Sequence, residues 1–176
     1  MNFIYIISQI IATLSFIALI LSFFSNKRKT VLILLIIHTV LYGIHYLILG
    51  AFIGFIALMI ETLRNVVFYF KGKNHKENSF LVLIFFFIIF ILTSIFTWDG
   101  FIKIIPLIAS LIITYGIWQK NLSIYRITSL SCAILYIIYN IINVTYIGMI
   151  GEAVIAIFAF IGIIKNDIFK KNKKTI

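Results

Sequence analysis

The chain has 176 residues, of which 63% are hydrophobic and only 11% are charged, and its formal net charge is +10 at pH 7. An ordinary soluble domain has about a quarter of its residues charged, so this composition excludes one and indicates a polytopic helical membrane protein. The basic residues lie in short loops and a tail, which is typical of membrane topology and does not indicate nucleic-acid binding.

The chain contains seven apolar segments, each long enough to cross a bilayer as a helix. The first is followed by a basic turn and by no small-residue cleavage site, so we interpret it as a retained span and not as a signal peptide. The fourth is uncharged and rich in phenylalanine, which predicts a linker helix whose Phe85 and Phe86 face lipid. The helices are predicted at 3–24, 31–49, 51–70, 80–97, 101–118, 124–142 and 146–164.

The distribution of positive charge predicts the topology. With seven spans, 12 of the 15 Lys and Arg residues lie in the loops and tail at one membrane side, Arg64 and Arg126 lie near that side, and Lys103 lies alone at the other. The positive-inside rule then places the N-terminus outside and the C-terminus in the cytoplasm. Trp98 is predicted to anchor an outer turn at the membrane interface.

An internal repeat appears when the chain is shifted by 94 residues against itself. The first three helices then align with the last three without a gap, and Leu41–Ile56 contains seven identities, among them Tyr42 with Tyr136 and Gly54 with Gly148. Matched glycines of this kind permit close helix packing. Because three is an odd number, one linking span between the repeats gives them the same orientation. The predicted fold is therefore an all-α polytopic membrane protein of seven helices, with two parallel three-helix repeats and a linker (3+1+3).

This pattern divides the chain into four parts. They are a first three-helix repeat at 1–70, a cytoplasmic loop and linker helix at 71–100, a second three-helix repeat at 101–164, and a basic cytoplasmic tail at 165–176.

The 3+1+3 arrangement resembles the MtN3/SWEET and PQ-loop superfamily. Within it, short motifs resemble the YgjV-type family of bacterial inner-membrane proteins; they are His45-Tyr46, Leu49-Gly50-Ala51, Arg64-Asn65, Pro106, Leu135-Tyr136 to Asn140, and Gly151-Glu152. The resemblance implies a multi-pass inner-membrane protein of transporter-like fold. It does not imply a sugar substrate, because the Pro-Gln pair of the sugar carriers is missing: Gln9 and Pro106 lie in different halves.

Polar residues with helical spacing mark two equivalent faces. His38, Tyr42 and His45 follow one face of the second helix, and Cys132, Tyr136 and Tyr139 hold the matching positions of the sixth. We interpret these faces as parts of a substrate path around a shared axis. The alternative is that the same side chains hydrogen-bond neighbouring helices and only hold the bundle together.

The third helix carries Glu61, Arg64 and Asn65 on one face, with Glu61 near the middle of the span. An ionisable group at this depth indicates a functional site; the alternatives are a structural ion pair, or an Arg64 that extends to the headgroups. Substrate-path candidates are His38, Tyr42, His45, Glu61, Arg64, Asn65, Tyr136, Tyr139, Asn140 and Glu152.

These observations predict a small-solute permease of the inner membrane that works by alternating access between its two repeats, with a non-transporting scaffold or regulator as the alternative. No catalytic motif is present, so we expect no enzyme activity and no cofactor. The spacing of His38, His45 and Glu61 does not match a zinc signature, so no metal is expected. Expected partners are the lipid bilayer and an unidentified small molecule, with no nucleic acid; a homo-oligomer is left open.

Overall fold

Seven α-helices make up most of the protein in a computed structural model that describes residues 3–73, 79–98 and 100–169. A 3-10 turn at Phe101–Lys103 precedes the fifth helix, and a π-helical segment at Ile164–Ile168 continues the seventh. The helices are α1 (Phe3–Phe24), α2 (Arg28–Ile48), α3 (Phe52–Lys73), α4 (Phe80–Phe96), α5 (Ile104–Trp118), α6 (Leu122–Ile142) and α7 (Tyr146–Ile163).

Six of these helical segments are long and apolar enough to cross a membrane. They comprise α1, α2, α3, α5 with its preceding 3-10 turn, α6, and α7 with the π-helical segment. Helix α4 has 17 residues and is about 25 Å long, somewhat less than the hydrocarbon core of about 30 Å. The seven predicted helices are therefore confirmed, and their ends agree with the prediction to within a few residues.

The chain forms two units, Met1–Glu77 and Asn78–Ile176. In the first unit α2 packs against both α1 and α3, and in the second α6 packs against both α5 and α7. Helix α2 is therefore the central helix of the first unit, and α6 lies between α5 and α7 in the second.

Helix α4 belongs to the second unit and packs against α5. Its side chains differ sharply in exposure: Phe85 is 54% exposed, whereas Phe86 is 1% exposed and is buried together with Leu83 and Phe90. The prediction that Phe85 and Phe86 both face lipid is therefore wrong for Phe86. Adjacent helical residues point about 100° apart, so one of them can be buried while its neighbour is exposed.

The turns after α2 and α6 have the same backbone geometry. After α2, the N–H of Ala51 donates to the carbonyl of Tyr46 at 2.9 Å and the N–H of Gly50 donates to that of Leu47 at 3.1 Å. This is a Schellman motif, in which the residue after the C-cap is left-handed. After α6, Thr145 and Val144 make the equivalent bonds to Asn140 and Ile141, at 2.9 and 3.2 Å. The left-handed residues are Gly50, with φ of 73°, and Val144, with φ of 57°.

A glycine in the first turn of α3 and of α7 lets a side chain from the preceding helix come close. A Cβ atom on Gly54 would lie 2.5 Å from the Tyr46 ring, and a Cβ atom on Gly148 would lie 2.7 Å from Oδ1 of Asn140. Atoms cannot approach so closely, so a side chain at either position would displace its neighbour, the Tyr46 ring or the end of the Asn140 side chain. The matched glycines therefore permit close helix packing, as the sequence predicts.

Candidate functional site

Two histidines of α2 are hydrogen-bonded to two serines of α1. Nδ1 of His45 lies 2.7 Å from Oγ of Ser8 and 3.0 Å from the backbone oxygen of Ser8. Nδ1 of His38 lies 2.7 Å from Oγ of Ser15 and 3.2 Å from the backbone oxygen of Ser15. The serines and the histidines are each seven residues apart, so the two pairs join antiparallel helices two turns apart.

These contacts assign a tautomer to each ring. A backbone oxygen can only accept, so the bonds to Ser8 and Ser15 assign the proton to Nδ1 of each histidine. The hydroxyl of Ser15 in turn donates to the backbone oxygen of His38 at 3.1 Å. In a neutral ring this leaves Nε2 as the basic nitrogen. Both imidazoles are therefore held in one orientation, with their Nδ1 edges directed to α1.

Tyr42 lies between the two histidines in a ladder of rings along α2. Its ring centroid is 5.8 Å from that of His38 and 5.4 Å from that of His45, with interplanar angles of 17° and 13°. Phe16 of α1 meets Tyr42 edge-on at 5.4 Å. The face that the sequence assigns to a substrate path is thus in contact with α1 of its own unit, along the Nδ1 edges of both histidines.

The second unit has the same contact with different chemistry. The Sγ of Cys132 on α6 donates to the backbone oxygen of Ala109 on α5 at 3.2 Å. Cys132 and Ala109 follow His38 and Ser15 by 94 residues each. The other candidates on α6, Tyr136 and Tyr139, are half-buried. Helices α1 and α5 therefore each accept a bond from the central helix of their unit at equivalent positions.

On α3, Arg64 connects Glu61 and Asn65. Nη2 of Arg64 lies 3.6 Å from Oε2 of Glu61, while Nε and Nη2 both donate to Oδ1 of Asn65 at 3.2 Å. Arg64 is 1% exposed, so it is not extended toward the headgroups. The ion pair that the sequence left as an alternative is present, but it is longer than a hydrogen bond.

Asn65 is 0% exposed, and of its two amide atoms Oδ1 has a hydrogen-bond partner whereas Nδ2 has none among the described residues. Because Arg64 donates to Oδ1, the orientation of the amide is assigned by the bonding pattern. Its Nδ2 group has no hydrogen-bond partner among the described residues. A buried donor without an acceptor is uncommon in proteins and requires an explanation.

The remaining candidates lie near the turn between α6 and α7. Oδ1 of Asn140 accepts from Oγ1 of Thr145 at 2.7 Å, so this side chain stabilises the turn and lies against Gly148. Glu152 is half-buried on α7. Next to it, a Cβ added to Gly151 would have no heavy atom within 4 Å.

Sequence reasoning missed several polar contacts. In the first unit, Oγ1 of Thr62 on α3 donates to Oγ1 of Thr39 on α2 at 2.8 Å. In the second, Oδ1 of Asp167 accepts from Nη1 of Arg126 at 2.6 Å and from Oγ of Ser123 at 2.7 Å. The sequence places Asp167 in the basic tail. In the structure it lies in the π-helical segment and connects the end of α7 to the start of α6.

One signal could have identified the serines. Ser8, Ser15 and Ser22 recur every seven residues on α1, and all three are buried. Such a row of small polar residues is typical of a tight helix interface in a membrane. No comparable signal marks Asp167, because a lone acidic residue in a basic tail has no pattern.

The structure thus forms two polar clusters within the first unit: the serine-histidine contacts between α1 and α2, and the Glu61-Arg64-Asn65 group on α3. Within residues 3–73, 79–98 and 100–169, no three His, Cys, Asp or Glu side chains are close enough to hold a metal ion.

Comparison with protein families gives one finding. The model of the Imp-YgjV family, described as a bacterial inner membrane protein, matches residues 6–169. Neither the curated proteins nor the solved structures contain a match.

Proposed function

Because the chain belongs to the Imp-YgjV family of bacterial inner membrane proteins, and is therefore a multi-pass inner membrane protein, we propose that it is a small-solute permease. In this proposal α1–α3 and α5–α7 are two parallel three-helix repeats joined by α4, the 3+1+3 architecture, and the protein works by alternating access between the repeats. It catalyses no reaction and requires no cofactor. Its N-terminus lies outside and its C-terminus lies in the cytoplasm.

The observation that carries the proposal is that features of α1–α3 recur in α5–α7 at a spacing of 94 residues. Helices α2 and α6 both have 21 residues, and their first residues, Arg28 and Leu122, are 94 positions apart. The Schellman turns, the left-handed residues Gly50 and Val144, and the glycine contacts of Gly54 and Gly148 recur at the same spacing. Parallel repeats separated by one linking span are a recurrent architecture of secondary transporters.

Polar chemistry in the apolar helices supports transport. Arg64 and Asn65 are buried in the middle of α3, where an ionisable side chain is costly and marks a pathway for solute or protons in many membrane proteins.

A non-transporting scaffold is the second candidate. The observation in its favour is that the Ser8–His45, Ser15–His38 and Thr39–Thr62 contacts all join neighbouring helices. Hydrogen bonds of this kind stabilise helix association in membranes and need no further role.

Uptake into liposomes distinguishes the two candidates. Purified protein is reconstituted, the vesicles are incubated with a bacterial metabolite extract, and their contents are analysed by mass spectrometry beside protein-free vesicles. The permease predicts that at least one solute is enriched in the protein-containing vesicles only. Equal contents in both preparations would reject the permease and favour the scaffold.

A further inference from the structure

In the Glu61-Arg64-Asn65 group on α3 the two charges cancel, but one polar atom has no hydrogen-bond partner among the described residues. Arg64 contributes one positive charge and Glu61 one negative charge, and their closest atoms are 3.6 Å apart. At this distance the carboxylate is attracted to the guanidinium without a hydrogen bond. The Glu61 side chain is also 28% exposed, so part of it is accessible to another molecule.

Asn65 supplies the complementary group. Its Oδ1 accepts two bonds from Arg64 at 3.2 Å, which directs the Nδ2 hydrogens away from the guanidinium. Those hydrogens are buried and have no acceptor in the described part of the chain. An oxygen atom of a bound molecule would satisfy them, and that would account for a polar group that is otherwise destabilising.

The spacing of the two groups indicates the shape of that molecule. Glu61 and Asn65 are four residues apart on one helix, so their side chains lie on the same face with Cβ atoms about 6 Å apart. A small molecule with two polar ends at this separation would match both groups. Its donor end faces a carboxylate, and its acceptor end faces an amide N–H group.

The charge of Glu61 and the donor of Asn65 together restrict the chemical class of the ligand. A cation would pair with Glu61 but leave the Asn65 amide without an acceptor. An anion would satisfy Asn65 and face the negative charge of Glu61. A molecule with an ammonium group at one end and a carboxylate at the other satisfies both groups and leaves the net charge of the site unchanged. A neutral amide would bond Asn65 without charge pairing at Glu61.

We propose that the Glu61–Asn65 face of α3 binds a small zwitterion of the α-amino acid class, with the ammonium group on Glu61 and the carboxylate on Nδ2 of Asn65. Arg64 is a positioning residue that holds Asn65 in the required orientation. This assignment rests on the proposed permease function and names its substrate class.

The test uses the full chain and two independent measurements. Thermal unfolding in detergent is measured with and without a mixture of the twenty L-α-amino acids, and uptake of the same mixture into liposomes is followed by mass spectrometry. Amino acid amides, which are cationic, and N-acetyl amino acids, which are anionic, are matched probes of charge. We expect at least one amino acid to raise the unfolding temperature and to accumulate in vesicles, and the two derivative sets to do neither.

Asn65→Asp is the informative variant. The aspartate oxygens still accept from Arg64, but the Nδ2 donors are lost and a second carboxylate joins Glu61 on this face; thermal unfolding of the variant without ligand checks that it folds. We expect the affinity for the amino acid to fall about tenfold or more, as for the loss of one hydrogen bond to a charged group. Asn121→Asp is the matched control, because Asn121 only caps α6 by accepting from the N–H of Ser123, which aspartate also does. Glu61→Gln is a second variant that should weaken binding without a change of size.

The outcomes separate this inference from the permease proposal. Uptake of other solutes with no response to amino acids would overturn the inference and leave the permease intact. A thermal shift that is specific for amino acids, without uptake of anything, would support the site and reject transport. Binding by Asn65→Asp equal to that of Asn121→Asp would overturn the role of Asn65, and an equal response to zwitterions and their charged derivatives would overturn the ligand class.

Discussion

At the scale of single residues, each of the two histidines of α2 contacts α1 through Nδ1, and Nε2 takes no part in that contact. Their Nδ1 atoms donate to oxygens of α1, with Ser8 at 3.0 Å and Ser15 at 3.2 Å. Any role beyond helix association must therefore use Nε2. The contributions of the two nitrogens can be measured separately, because some substitutions keep a nitrogen at the position of Nδ1 and remove Nε2.

His45 can be replaced so that only the contact made by Nδ1 remains. The amide nitrogen of asparagine lies close to the position of Nδ1, so His45→Asn should still donate to Ser8, whereas His45→Leu cannot. We expect the leucine variant to lose about 1 kcal/mol, which is typical of one interhelical hydrogen bond in a membrane protein, and the asparagine variant to lose much less. Thermal unfolding in detergent measures both. Equal losses in the two variants would show that the Nδ1 bond does not stabilise the unit.

Arg64 should depend more on Asn65 than on Glu61. Hydrogen bonds to a charged group contribute about 1.5–3 kcal/mol, and Asn65 accepts two from Arg64. Glu61 is 3.6 Å away and partly exposed, so its coupling to Arg64 should be below about 1 kcal/mol. Double-mutant cycles with Arg64→Met, Asn65→Leu and Glu61→Gln measure both coupling energies. A larger coupling with Glu61 would identify the ion pair as the main structural contact.

At the scale of helices, α4 presents two different faces. Phe86 is 1% exposed and Phe85 is 54% exposed. We expect Phe86→Ala to cost about 3 kcal/mol, because it leaves a cavity where the surrounding helices cannot fully collapse. Phe85→Ala should change stability by less than about 0.5 kcal/mol. Denaturation of the purified variants tests this, and a similar cost for both would mean that the helix is buried on both faces.

The turn after α6 contains backbone strain that the turn after α2 avoids. Val144 has φ of 57°, a conformation that is unfavourable for a β-branched residue, whereas Gly50 adopts φ of 73° at no steric cost. Val144→Gly should therefore stabilise the second unit by about 1 kcal/mol. The reverse change, Gly50→Val, should destabilise the first unit by a similar amount. Thermal unfolding of the two variants checks the opposite signs; a loss of stability in Val144→Gly would contradict the prediction.

At the scale of the whole molecule, the 14:1 distribution of basic residues predicts the orientation in the membrane. A reporter fused after Ile176 should be active in the cytoplasm. In a Cys132→Ser background, which keeps a donor for Ala109, a cysteine at position 99 should react with an impermeant maleimide in intact cells. Labelling only after permeabilisation would reject the seven-span topology, and with it the parallel repeat.

The sequence by itself determined the class of protein, the seven helices and the position of the equivalent turns. The physical reason is local: an apolar segment must satisfy its own backbone hydrogen bonds in lipid, and only a helix of about 20 residues does so. Charges and turn residues then locate the ends. The match of Gly50 with Val144, or of Gly54 with Gly148, follows from spacing alone.

Only the tertiary structure decided which groups meet. The pairing of His45 with Ser8, the burial of Phe86 but not of Phe85, the unpartnered Nδ2 of Asn65 and the contact of Asp167 with Arg126 all depend on the rotation and register of packed helices. In an almost uniformly apolar chain, the polar pattern along one helix is compatible with several neighbours. Close packing of small residues and interhelical hydrogen bonds choose among them, and these act between segments that are distant in sequence.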